Sequence, residues 1–127
     1  MIWYVALGSA LGGVLRYLLS PFVQRSFAEG FPGGTLVVNI LGSLVIGVVL
    51  RTAATGDLVS PEARVFLSVG ICGGFTTFSA FSIETLRLLQ TDQWGRAFIY
   101  IGASVVLSIA AAALGWLGGG LIGRPVT

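Results

Sequence analysis

The chain has 127 residues, 55% hydrophobic and 9% charged, with a mean hydropathy of +0.95. Soluble domains carry about 25% charged residues, so the composition excludes water as the main solvent and fits a lipid bilayer. A formal charge of +2 rests on seven Arg that stand singly rather than on one basic face, which gives no support to nucleic acid as a partner. The single Cys72 allows neither an intrachain disulfide nor a CxxC metal site. With no His and no carboxylate cluster, the parts used in nucleophilic and metal-dependent catalysis are missing, and no enzymatic activity is expected.

A spanning helix needs about 20 mostly apolar residues. Met1 to Val23, interrupted only by Arg16, is the first such run. It lacks the basic start and small-residue cleavage site of a removable leader, so it reads as a retained span. Trp3 and Tyr4 sit where an interfacial aromatic belt would anchor it, and Ser20 and Pro21 mark its expected end. Gly8, Gly12 and Gly13 form a small-xxx-small pattern for close helix packing. Arg16 is a charge within apolar length, costing at least a few kcal/mol unless it meets water. Two readings stand: snorkelling to the surface, or drawing anions into a wet vestibule.

The second span runs from about Gly33 to Leu50 and is closed by Arg51, with Gly42, Gly47 and Ser43 as small contacts. Thr35, Asn39 and Ser43 recur every four residues and share one helix face. After a connector, Ser60, Pro61 and Glu62 read as an N-cap, a proline at the first helical position and an acid in the first turn. The third span, about Glu62 to Leu89, is interrupted by Gly73, Gly74, Phe75, Thr76 and Thr77. A break there would free backbone groups at membrane depth, tolerated only when buried in protein, facing water or binding an ion. Exposed carbonyls suit a hard cation, while a plain glycine kink absorbed by packing is the other reading. Phe78 and Phe81, three residues apart, share a face just after the break. They are either core packing or rings whose positive edges receive an anion.

The fourth span, from about Trp94 to Leu121, carries Tyr100, Ser104 and Ser108 at the same four-residue spacing, and the tail from Gly118 to Thr127 is expected to fray. Two polar stripes in apolar helices either line a path for a small hydrated solute or glue helices together. The expectation is an all-α integral membrane protein, one domain over residues 1–127, with four transmembrane helices and the third broken at its centre.

Together these stretches resemble the Fluc (CrcB) family of fluoride channels. The matching residues are Gly12, Gly13, Arg16 and Tyr17; Gly34, Thr35, Leu36, Val38, Asn39 and Gly42; Gly73 to Phe81, read as GGFTTFSAF; and Tyr100, Ser104 and Ser108. All four spans match in order, and Ala80, where Thr is common, is the one departure. The resemblance implies an antiparallel dual-topology homodimer, multi-pass in the cell inner membrane and surrounded by lipid. It implies two passive fluoride pathways and a structural sodium ion on the twofold axis. The sodium ligands would be main-chain carbonyls of Gly73 and Thr76. Phe78 and Phe81 would be the fluoride-facing rings and Asn39 would orient fluoride or a ring. Thr35, Tyr100, Ser104 and Ser108 would form a polar track, with Arg16 near a vestibule and Glu84 near a pore mouth. A small dual-topology multidrug transporter also has four spans, but it needs a membrane-embedded carboxylate in the first span, which here offers only Arg16. A non-transporting scaffold subunit is the third reading.

Charge balance gives separate support for dual topology. Arg51, Arg64 and Arg124 fall on one side of the membrane and Arg25, Arg87 and Arg96 on the other, so the usual instruction for a single orientation is absent.

Overall fold

The structure is a computed structural model that describes residues 1–56 and 58–122; Asp57 and residues 123–127, including the Arg124 of the charge balance and the end of the tail, lie outside the described residues. Helices α1 (Ile2–Gln24), α2 (Gly33–Ala54), α3 (Pro61–Val65), α4 (Gly73–Phe75), α5 (Phe78–Gln90) and α6 (Trp94–Ile122) follow in order, with the π-helical turn Phe66–Cys72 between α3 and α4. Four stretches are long and apolar enough to cross a membrane: Ile2–Gln24, Gly33–Ala54, Pro61–Gln90 and Trp94–Ile122. The chain is a multi-pass membrane protein.

The second span is the central one, with 44% of its most apolar window buried against 11% in the first. Lipid supplies no hydrophobic drive between helices, so close backbone contact has to hold them. Gly115 of α6 faces the Leu44 carbonyl of α2 and Gly47 of α2 faces the Ala112 carbonyl of α6, so closely that a Cβ at either would collide with backbone. Gly8 and Gly12 bring α1 against Gly70, Ile71 and Phe75 of the third span in the same way. Gly13 does not join them: a Cβ there would meet nothing within 4 Å, because its direction lies off the face that Gly8 and Gly12 share.

Several boundaries differ from expectation for local reasons. The first helix continues past Pro21 to Gln24, since a proline in the last turn removes only one backbone bond. Gln24 then ties the following connector, its Nε2 donating to the Phe31 carbonyl at 2.6 Å and its Oε1 accepting from Gly34 N–H at 2.9 Å. The fourth helix runs past Gly118 to Ile122, held where Gly119 lies against the Val48 carbonyl. The Ser60 cap forms as expected, its side chain accepting from Ala63 N–H at 3.1 Å with Pro61 opening the helix.

Candidate functional site

Helical backbone persists through Gly73–Phe75, and only Thr76 (φ −81°, ψ 155°) and Thr77 (φ −148°, ψ 115°) are extended before α5 begins. The expected interruption over Gly73 to Thr77 is therefore narrower, because glycine permits non-helical backbone without requiring it. Thr77 caps α5, its hydroxyl accepting from Ala80 N–H at 3.1 Å. Asn39 on α2 supplies what the extended pair lacks: its Oδ1 accepts from Thr77 N–H at 2.8 Å and its Nδ2 donates to the Thr77 carbonyl at 3.1 Å. The amide that would have closed a helical bond to the Gly73 carbonyl is thus spent on Asn39. Arg16 reaches the same region, its Nε donating to the Gly74 carbonyl at 3.4 Å.

A cavity of 430 Å³ opens beside the extended pair, and Asn39, Gly73, Thr76, Phe78, Phe81, Ser104 and Ser108 all line it. The Ser104 hydroxyl is buried with no hydrogen-bond partner among the described residues. Buried hydroxyls are normally satisfied, so this one is an unused polar group beside the cavity. Phe81 packs on Phe78 at 5.4 Å and on Tyr100 at 5.2 Å between ring centroids, whereas Phe78 is 79% exposed. The Phe78 ring is thus open on one side while it borders the polar groups of the cavity. Among the described residues no cluster of three or more His, Cys, Asp or Glu is suited to a metal, so a cation here would depend on main-chain oxygens. Gly73, whose carbonyl has lost its helical partner Thr77 N–H to Asn39 and which borders the cavity, fits that donor chemistry.

Two expected members of the polar track lie elsewhere. Thr35 and Tyr100 do not line this cavity; both donate to Glu84, from Thr35 Oγ1 at 2.8 Å and from the Tyr100 hydroxyl at 2.7 Å. Glu84 is the organising residue that the sequence left without a definite role. The signal was present, since among the described residues it is the one acid away from the ends of a span, and such a group marks function by default. Arg16, Thr35, Thr77 and Glu84 share a second cavity of 210 Å³.

The cavities adjoin at common residues. Thr77 borders the first two, and Glu84 links the second to a third of 330 Å³ that reaches Arg87 and Gln93. In the other direction, Ile46 and Ser68 connect the first to one of 720 Å³ that ends at Arg64 and Gly56. A row of separate, mainly apolar cavities that share these lining residues therefore lies along the helices, with an Arg near each end.

A four-span helix bundle that gathers polar side chains beside the extended Thr76 and Thr77 is compatible with a channel or transporter. The chain belongs to the family described as CrcB-like protein, Camphor Resistance (CrcB), whose model matches residues 3–116. It is 54% identical over 120 residues to the fluoride-specific ion channel FluC of Thermus thermophilus, covering 94% of each chain. The protein of that name from Opitutus terrae is 49% identical over 117 residues, 91% of this chain and 86% of that one. The one from Sorangium cellulosum is 42% identical over 113 residues, 89% of each. These relatives are ion channels, a class that is not enzymatic.

Proposed function

We propose that this chain is the subunit of a fluoride-selective channel that lets cytoplasmic fluoride leave passively through the cell inner membrane. The reading rests chiefly on the 430 Å³ cavity where the unpartnered Ser104 hydroxyl, Ser108, Asn39 and the rings of Phe78 and Phe81 converge. Fluoride is small and strongly hydrated. Conduction requires that its water be replaced by several modest partners that then let go, and a hydroxyl and ring edges meet that condition better than a fixed cation. Since both Asn39 amide groups bond Thr77, Asn39 acts mainly by holding Phe78 and the start of α5 in position. Thr35, Tyr100 and Glu84 form the next station and Arg16 the adjoining vestibule. HF entering from an acid medium dissociates inside, and the anion drains down its own gradient.

Two inverted copies of the single domain complete the assembly in this account, covering the exposed Phe78 face and giving two pathways. Main-chain carbonyls of Gly73 and Thr76 from both copies would hold a structural sodium ion, which supplies fixed positive charge between the broken third spans. The test uses a fluoride-sensitive bacterial strain carrying variants forced into one orientation by two Lys added beside Arg51 or beside Arg25. Either variant alone should fail to restore growth in fluoride and the pair together should succeed. Growth with one alone contradicts the antiparallel pair, and failure of the unmodified chain contradicts fluoride export.

A further inference from the structure

Arg51 lies in the last turn of α2, outside the cavities described above. Its guanidinium carbon stands 5.1 Å from the centre of the Trp116 ring on α6. Beneath it the α6 surface is bare: a Cβ on Gly120 would stand 3.0 Å from Arg51 Nε, and one on Gly119 would stand 2.8 Å from Arg51 Cβ. The guanidinium is thereby pressed between an indole and a glycine bed. Its Nε is buried and has no hydrogen-bond partner among the described residues.

Nearby backbone acceptors are already engaged. The carbonyls of Val48 and Val49 each accept from the Thr52 hydroxyl at 3.0 Å, and the Arg51 carbonyl accepts from the Thr55 hydroxyl at 3.1 Å. A buried N–H on a cation without an acceptor is costly, and this one sits near the helix ends, beside a tryptophan of the kind that collects at headgroup level.

We propose that Arg51 and Trp116 form a binding site for the phosphate of an anionic phospholipid. The two terminal nitrogens of Arg51 would donate to two phosphodiester oxygens, the fork geometry that arginine offers and lysine does not, while Nε stays packed against Gly120. Trp116 holds the fork flat and carries the glycerol side of the headgroup. A lipid is the favoured source over free phosphate because the bilayer presents phosphate at this level at high local concentration.

The test is thermal unfolding of the purified full chain in neutral detergent, with added dioleoylphosphatidylglycerol, dioleoylphosphatidylcholine, or inorganic phosphate at matched ionic strength. Phosphatidylglycerol should raise the wild-type midpoint more than phosphatidylcholine, and in Arg51→Gln the two lipids should act alike. Arg25→Gln, at the opposite surface, should keep the full response. A phosphatidylglycerol response that survives in Arg51→Gln overturns the site, and an equal shift from inorganic phosphate overturns the lipid source. Should Arg51→Gln fail to fold, Arg51→Lys keeps the charge without the fork. Native mass spectrometry should then show roughly tenfold weaker retention of phosphatidylglycerol, the loss of about one charge-assisted bond, and unchanged retention overturns the proposal.

Discussion

The side-chain amide of Asn39 binds the backbone of Thr77 in both directions, accepting from its N–H at 2.8 Å and donating to its carbonyl at 3.1 Å. A single residue of the second span thus supplies the partner that Thr77 N–H would otherwise have found in the Gly73 carbonyl. Asn39→Ala leaves the partly buried Thr77 N–H without its partner, a cost of about 1–3 kcal/mol. The melting temperature of the purified protein should fall along with fluoride flux. An Ala variant as stable as wild type would mean that Asn39 serves only the ion.

The two rings should separate by stability. Phe81 packs on Tyr100 within a buried cluster that includes Leu36, Leu88 and Ala97, so Phe81→Ile should lose about 0.5–1.5 kcal/mol of aromatic pairing as well as transport. Phe78, 79% exposed in the single chain, should lose transport on change to Ile with little loss of monomer stability. Wild-type efflux from a well-folded Phe78→Ile protein would remove that ring from the pathway.

Four apolar spans and the Ser60 cap were legible because each depends on local composition. The π-helical turn Phe66–Cys72 was not. It arises where α1 glycines bring another backbone against Phe66, Gly70 and Ile71, a contact that no pattern within the third span encodes. For the same reason the stripe of Thr35, Asn39 and Ser43 could be read either as a path or as interhelical glue. Periodicity places the three on one face, but each partner comes from elsewhere in the fold or from the helix itself: Glu84 for Thr35, Thr77 for Asn39, and the Asn39 carbonyl for Ser43 at 2.7 Å.

Glu84 should behave as a coupled unit with its two donors. Tyr100→Phe removes a hydrogen bond to a charged group, worth about 1.5–3 kcal/mol, and in a Glu84→Gln background the same change should cost nearer 1 kcal/mol. Thermal unfolding of the four proteins of this cycle measures the difference. Simple additivity would show that the Tyr100 hydroxyl does not depend on the Glu84 charge.

Gly42 faces the methyl of Thr76, and a Cβ there would collide with it. Gly42→Ala should therefore displace the extended pair and reduce flux. Thr76→Ala alone should change little, because its proposed sodium ligand is a main-chain atom, and combined with Gly42→Ala it should restore flux by removing the clashing methyl. A double variant as impaired as Gly42→Ala would place the damage elsewhere.

The most direct measurement is anion efflux from liposomes containing the purified protein, followed with fluoride- and chloride-selective electrodes after a potassium ionophore is added. The account predicts rapid fluoride release with chloride retained, abolished in Phe81→Ile. Chloride leaving as readily as fluoride, or fluoride retained as in protein-free liposomes, would contradict it.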